Sequence, residues 1–476
     1  MGNKNIINFT LILTVLLIGC LFRLYNINFD DFWYDEILTF TVANPNLSIS
    51  ESFEIQTEID NTPYLGSLIL RFVFQVFGYK SEFARYLPCI FSIASIFTIT
   101  YLAKSLKNNS AYVFTSFLIS SNIFLISYSQ ELRIYSMLFF FSSLSLIFFI
   151  KLVEKKNSSL NLFFFILFSS LQVFSHPISF LIIISYMFYI FIDFFIFKKK
   201  NTSLYVGLLI TIILCFLYFS FYFYNFTIHS WDWISQPKLK FFTNFYFSNF
   251  FGSRLVGIIF LFTFVYLLYQ NRKLFFRFDK ISIFLIVIFF SYLLPIVFGY
   301  LYKPILVSRY IIFVVASITI LISYLIFEIQ NKKIRNSLIV LLSVITIGNH
   351  FTEQTVKQFF ETRQIHKPEF KKAIQTINES NVNNYYFKIN SYPASRPAPG
   401  SPKTIFALIK YFEHLNKGNK NNLKYIDIKK TSVKQTWIVC LTDLHGHDCT
   451  LPAQIKTKKI IKNINLNRLN LKLINL

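Results

Sequence analysis

Glycine is scarce, 12 of 476 residues, and nowhere does it build a phosphate-cradling loop. No strand-loop-helix nucleotide fingerprint occurs in the apolar part of the chain, which argues against a soluble nucleotide as its substrate. Cysteine is equally sparse, and five residues do not make a disulfide scaffold. Cys20, Cys89 and Cys215 sit in or beside apolar runs, as small core residues do. Cys440 and Cys449 lie in a polar tail and are a disulfide candidate if that tail faces an oxidising compartment. Ionisable residues are nearly missing from the centres of the apolar runs, Asp193 lying near an end. That counts against a transporter, which tends to place charges and broken helices at the midplane in two related halves. There is no repeat with a solenoid period and no spacing that by itself spells a metal site.

What the chain has in excess is apolar length. Hydrophobic residues make up 54%, with 61 Phe, gathered in runs of roughly the length a helix needs to cross a ~30 Å hydrocarbon core. The expectation is a polytopic α-helical membrane protein of about eleven spans, at 6–25, 87–103, 111–127, 135–151, 160–176, 178–197, 203–224, 254–270, 281–300, 311–328 and 337–350. Residues 17–20, "LIGC", fit a loose lipoprotein cleavage pattern, but the first run reads better as a retained signal anchor. The net charge of +24 does not point to nucleic acid, because much of it sits in short loops between runs. Lys151, Lys155 and Lys156, then 198–200, then Arg272, Lys273, Arg277 and Lys280 all fall in alternate connections. The positive-inside rule then predicts a cytoplasmic N-terminus and an extracytoplasmic C-terminal region, in a bacterial inner membrane. The short run within 61–88, interrupted by Arg71 and Gln75, reads as a helix lying at the outer interface.

Two domains follow. Residues 1–350 form the membrane domain, with a long first outward loop at 28–86, and 351–476 form a small α/β domain. In the latter, 367–380 and 403–416 have helical spacing, 383–390, 423–430 and 435–443 read as strands, and 391–403 is a Pro-rich loop. Residues 464–476 alternate with a phase slip near Asn467, which predicts a bulged or edge strand. This domain carries 21 Lys and Arg against 8 Asp and Glu, suiting anionic headgroups or an acidic acceptor. Its "DLHGHDC" segment (443–449) resembles a metal site less than a polar loop tied by Cys440 and Cys449.

Polar groups recur where spans meet the outer face. They occur in "DDFWYDE" (30–36) with "EIDNTP" (58–63), "SYSQELRIYS" (127–136), "HP" (176–177) and "YKPILVSRY" (302–310). Taken singly, an interfacial Arg snorkels and Tyr or Trp belongs to an aromatic belt. Carboxylates, Arg–Tyr pairs and a His on one face together suggest a lipid-bound phosphate attacked by an activated acceptor. The arginine fork binds phosphate oxygens, and a carboxylate serves as general base.

The acidic pair in the first loop, "NTPYL", "GYKSEFARYLP", "YSQELRIY" and a late "SRY" resemble, in order over about 20–350, glycosyltransferase family 39. That family includes the protein O-mannosyltransferases and lipid A aminoarabinose transferases. The resemblance implies a C-type membrane glycosyltransferase fold and a polyprenyl-phosphate sugar as donor. It implies Asp35, with Glu36 beside it, as the catalytic acid position, and Arg133, Tyr135, Arg309 and Tyr310 as donor-phosphate ligands. Glu58, Asp60, Glu131, His176 and Lys303 are further pocket candidates. The family often has Asp or Lys before Pro-Pro-Leu, whereas here Asp60 precedes a single Pro. Some members hold a divalent metal through acidic and His residues, for which Glu58 and His176 are the candidates here.

The function expected is inverting transfer of a sugar to a lipid, glycan or protein acceptor at the outer face. Two alternatives stay open: a flippase or transporter for a lipid-linked glycan, and a glycan polymerase or ligase. The latter would use the late loop 226–242 with His229, Asp232, Trp231 and Trp233.

Overall fold

In lipid, a chain must satisfy its backbone polar groups internally, so long runs of Ile, Leu and Phe fold as helices. The computed structural model describes residues 3–59, 62–106, 110–156, 158–198, 201–224, 234–276, 278–352, 365–389, 402–417, 419, 422–428, 433–442, 449, 451, 455–456 and 458–476. In chain order the first helices are α1 (Asn3–Leu24), α2 (Tyr34–Val42), α3 (Ile49–Ile59), α4 (Leu65–Phe77), α5 (Ser81–Ala84), α6 (Tyr86–Leu106), α7 (Ala111–Ser120), α8 (Ile123–Ser129) and α9 (Tyr135–Val153). They continue with α10 (Ser159–Ser175), α11 (Phe180–Phe195), α12 (Thr202–Tyr224), α13 (Leu239–Phe242), α14 (Phe247–Phe251), α15 (Arg254–Gln270), α16 (Arg272–Phe276), α17 (Ser282–Leu301), α18 (Val314–Glu328) and α19 (Lys332–Thr352).

Among the described residues, seven stretches are long and apolar enough to cross a membrane, and α7 with α8, bent by 51°, makes an eighth if counted as one span. The expected eleven includes three further apolar runs. The remaining three runs fold as α10, α15 and α18, of 17, 17 and 15 residues. At ~1.5 Å per residue these are ~22–26 Å long, short of a ~30 Å core. Proline explains one of these ends: α10 stops at His176, where Pro177 opens a short 3-10 turn into α11.

The long loop at 28–86 is helical. Its α4, only 13 residues long, buries Leu70, Arg71 and Phe74 and exposes Leu68, Phe72, Val76 and Phe77. Such one-sidedness fits a helix lying along an interface. Arg71 donates to the carbonyls of Asn44 (2.7 Å), Pro45 (3.1 Å) and Leu47, satisfying the chain that leaves α2. Gly66 lets α4 approach the start of α9, since a β-carbon there would fall 2.6 Å from Ile134 Cγ2.

The break between α7 and α8 exposes carbonyls inside the membrane, and a buried cation answers them. Arg23 of α1 donates to Ser120 O (2.8 Å), Ile119 O (3.2 Å), Gly19 O (2.9 Å) and Ser92 Oγ (2.8 Å). His350 Nε2 lies 2.7 Å from Ser121 O. Gln130, just past α8, reaches back to the carbonyls of Phe22, Arg23 and Tyr25. The end of α1 thus fixes the turn that follows α8, which belongs to the site described below. The sequence reading passed over Arg23, because one polar residue near a span end looks like a snorkelling one.

After α19 come α20 (Phe370–Asn378), β1 (Asn384–Ile389), α21 (Pro402–Leu415), β2 (Lys424–Tyr425), β3 (Gln435–Leu441), β4 (Ile460–Leu466) and β5 (Leu469–Asn475). The sheet order is β2-β1-β3-β5-β4, parallel among the first three and antiparallel among the last three. Residues 464–476, expected as one bulged strand, instead close a tight hairpin. Leu466 pairs with Leu469, and Arg468 takes the left-handed φ of 54°. The phase slip was the turn itself, with Asn467 as a turn residue. A register irregularity does occur, earlier in β4, between Ile460 and Lys462.

Cys440 of β3 is bonded to Cys449, closing a loop of sequence separation 9. A closed loop of that size restricts the unfolded chain by about 2–3 kcal/mol. The Cys440→Ser/Cys449→Ser variant should lower the thermal midpoint of this domain by that equivalent. Reductant should lower the wild-type midpoint and leave the variant's alone, as followed by tryptophan fluorescence.

One hydrophobic cluster joins this domain to the first loop. Phe32, Ile37, Phe40, Leu70 and Phe74 pack continuously with Phe370, Ile377, Tyr411, Trp437 and Leu471. Phe32 stacks on Tyr411 with centroids 5.4 Å apart, and Phe40 meets His414 edge-on at 4.9 Å.

Candidate functional site

The stretch 30–36 contains four carboxylates, and the structure gives them different surroundings. Asp30 Oδ1 accepts the backbone N–H of His366 (3.1 Å). Asp31 accepts that of Lys371 (2.8 Å), with Lys371 Nζ at 3.3 Å. Burial raises the Asp31 carboxyl, and its Lys371 contacts only partly offset that.

Glu36 is the third residue of α2 and is 1% exposed. Its carboxylate accepts from Arg85 Nε (2.9 Å) and Nη2 (3.1 Å), Lys367 Nζ (2.6 Å), Leu132 N (2.8 Å) and Trp33 N (2.8 Å). Burial alone would raise its pKa; Arg85 and Lys367 overcome that and hold it down at about 2. Every oxygen of Glu36 is engaged, so it has none to offer an acceptor hydroxyl. Those five contacts make Glu36 a clamp. It ties the first turn of α2 to the α5–α6 junction, to the turn after α8 and to the C-terminal domain.

Asp35 points elsewhere. It is half-buried, and its carboxylate acts electrostatically on Arg309, Tyr135, Tyr310 and Glu131. Arg133 Nη1 donates to Asp35 O and Thr39 Oγ1, both at 3.2 Å. Arg309 lies over the rings of Tyr135 (5.8 Å) and Tyr310 (5.7 Å) and hydrogen-bonds the hydroxyls of Tyr128 and Tyr310. Burial works against the Arg309 charge, but the surrounding tyrosines and Asp35 more than offset it, so the guanidinium stays charged. His176 lies 4.6 Å from the Tyr310 ring and 6.4 Å from Tyr135, and its Nδ1 accepts from Ile178 N at 3.2 Å. Glu131, in the same turn as Arg133, is half-buried. Burial raises its carboxyl against the pull of Lys367.

Three segments far apart in sequence therefore meet: α2, the 129–135 turn and 308–310, with His176 at the rim. Asp35, Glu131, Arg133, Tyr135, His176, Arg309 and Tyr310 come together as the sequence grouped them. Glu58 lies in the last turn of α3, Lys303 follows α17, and both are half-buried; the contacts above include neither. Asp60 lies outside the described residues, as do 225–233 of the late loop and 443–448 of "DLHGHDC". Among the described residues no three of His, Cys, Asp and Glu converge to hold a metal, so Glu58 and His176 lack a third ligand there. Lys367 escaped the sequence reading. It lies 331 residues from Glu36, and no local signal marks such a pairing.

A carboxylate near Arg309, with Arg133 held on the same residue's backbone and tyrosine hydroxyls around them, suits a phosphate monoanion beside a proton acceptor. Residues 61–219 match the family described as dolichyl-phosphate-mannose-protein mannosyltransferase. No curated protein sequence matches the chain. Among solved structures, ArnT from Cupriavidus metallidurans bound to undecaprenyl phosphate superposes with a TM-score of 0.59 at 10% identity, covering 99% of this chain and 98% of that one. The Archaeoglobus fulgidus oligosaccharyltransferase AglB, in complex with an inhibitory peptide and a dolichol-phosphate, gives 0.54 at 11% identity, covering 92% and 70%. The family match lies in the membrane region, residues 61–219, and the chain shares the fold of these solved membrane transferases along nearly its whole length.

Proposed function

We propose that this enzyme moves a sugar from a polyprenyl-phosphate donor to an acceptor hydroxyl at the outer membrane face, inverting the anomeric carbon. The observation that carries it is the Asp35 carboxylate near Arg309, with Arg133 on the backbone carbonyl of the same residue and the tyrosine rings against Arg309. In one displacement the acceptor O–H gives its proton to Asp35, and its oxygen bonds to the anomeric carbon. The sugar–phosphate C–O bond breaks, its electron pair leaving on the prenyl phosphate. Arg309 and Arg133 neutralise that phosphate. The prenyl chain stays in lipid, so only the headgroup need enter the pocket. ArnT bound to undecaprenyl phosphate and AglB with a dolichol-phosphate, both on this fold, support a lipid phosphate as leaving group. The basic inner loops support a cytoplasmic N-terminus and an extracytoplasmic C-terminal domain, in a bacterial inner membrane. The acceptor is a lipid, glycan or protein, and the 476-residue chain divides at about 350 into a transferase domain and an α/β domain.

The test supplies purified protein with a panel of polyprenyl-phosphate sugars and measures prenyl phosphate released and sugar transferred. Consumption of one such donor with matching release is expected; direct use of a nucleotide sugar would overturn the reading. Arg309→Ala should raise the donor KM about 10- to 100-fold, corresponding to a lost charge-assisted hydrogen bond of ~1.5–3 kcal/mol. An unchanged donor KM would remove Arg309 from the phosphate site.

A further inference from the structure

The C-terminal domain touches the first outward loop at its most acidic point. Three of the four carboxylates of 30–36 take a partner from it: Asp30 from His366, Asp31 from Lys371 and Glu36 from Lys367. Only Asp35 faces the other way. A fourth contact falls on the residue that opens α2, where the Arg468 guanidinium lies 4.7 Å from the centre of the Trp33 ring. The Trp33 backbone N–H in turn donates to Glu36, so Lys367 and Arg468 grip the same helical turn from two sides.

The segment that presents Lys367 is itself braced. Asn467, beside Arg468 in the β4–β5 hairpin, donates through Nδ2 to the carbonyls of Ile365 (3.0 Å) and Lys367 (2.9 Å). Its backbone N–H donates to Glu369 Oε2 (2.7 Å), and Glu369 N returns a bond to Asn467 O. The hairpin tip and the 365–369 segment therefore form one rigid piece carrying two cations. The lysine is not a surface ion: its side chain is 16% exposed against 1% for Glu36.

We propose that Lys367 is a positioning residue for catalysis: with Arg85 it fixes Glu36, and through Glu36 it sets where the first turn of α2 holds Asp35. This rests on the reading of Asp35 as base, and it makes the C-terminal domain a working part of the active site. The lysine also acts electrostatically on Glu131, whose other charged neighbours are Glu36, Arg309 and Asp35. Losing its charge releases two carboxylates at once.

The test compares Lys367→Met, Lys367→Arg and a control, Lys410→Met, which removes a charge from an exposed i,i+3 pair on the same domain. Lys367→Met should lower kcat about 10- to 100-fold with donor KM within about threefold, as expected for a misplaced base. Lys367→Arg should recover most of that, and Lys410→Met should leave kcat unchanged. The Lys367→Met profile should also lose activity at a higher pH on its acid side, because Glu36 and Glu131 then bind protons more readily. Hydrogen exchange supplies a readout independent of transfer. Amides 33–42 should exchange faster in Lys367→Met, while those of β3 stay as in wild type. Unchanged exchange at 33–42, or faster exchange in β3 as well, overturns the proposal. If wild type uses no polyprenyl-phosphate donor yet Lys367→Met still loosens 33–42 alone, the function reading fails and the positioning role stands.

Discussion

Asp35→Asn should reduce sugar transfer by about 10²- to 10⁴-fold, the range associated with loss of a general base, in a protein that still folds and inserts. Both parts of that expectation come from placement. Asp35 is half-buried, and its backbone carbonyl accepts from Thr39 Oγ1 within α2 and from Arg133 of the turn after α8. Asparagine keeps that carbonyl, the side-chain volume and the helix. What it loses is the capacity to take a proton and the negative charge opposite Arg309. Donor binding should therefore change little, or tighten slightly, as one anion fewer competes for the guanidinium. The measurement is the initial rate of prenyl phosphate release at saturating donor, with donor affinity and thermal midpoint recorded on the same preparation. More than about a tenth of wild-type activity would remove Asp35 from the role of base. A collapse of the thermal midpoint would show that its carboxylate is structural.

The sequence exposed the membrane class and the grouping of the site, but it could not separate Asp35 from Glu36. Apolar runs that must be helical in lipid locate themselves, and polar residues at their outer ends stand out against such a background. That is why Arg133, Tyr135, His176 and Arg309 were found and why they converge. Adjacent residues on a helix point about 100° apart, so neighbours in sequence face different partners. Which one faces the pocket depends on Arg85 and on Lys367, 49 and 331 residues away. The same limit hid Arg23, whose role is legible only once α7 is seen to break beside it. Of the shorter apolar runs, 160–176 and 254–270 are helical over almost their full expected length, whereas 311–328 is helical only from Val314. The hairpin at Asn467 and Arg468 was misread because a phase slip has two explanations, a bulge or a turn, and the pairing partner decides between them.

Glu36→Gln should be the most destabilising single change in the first loop, by about 3–5 kcal/mol, because it removes one side of a buried charge cluster and leaves the rest. Arg85 is 2% exposed and would lose its only buried carboxylate among the described ion pairs, while Lys367 would lose its counter-ion. Glutamine preserves the shape and can still accept from Leu132 N, but its amide NH₂ meets donors where the carboxylate met none. The double variant Glu36→Gln/Arg85→Met should recover part of the loss, since it removes the stranded guanidinium as well; strict additivity would mean that the two residues act separately. The pH dependence has a definite sign. In the folded protein Glu36 is held at about 2, below its ordinary value of 4.5. Its contribution is therefore complete above about 4.5 and drains away as pH falls toward 2. Wild type should lose thermal stability steeply through that window, and Glu36→Gln, already without the charge, should lose much less. Parallel curves for the two proteins would mean that Glu36 does not carry the acid sensitivity. The clamp would then have to reside in the aromatic packing of Phe32 and Phe40 against Tyr411 and His414.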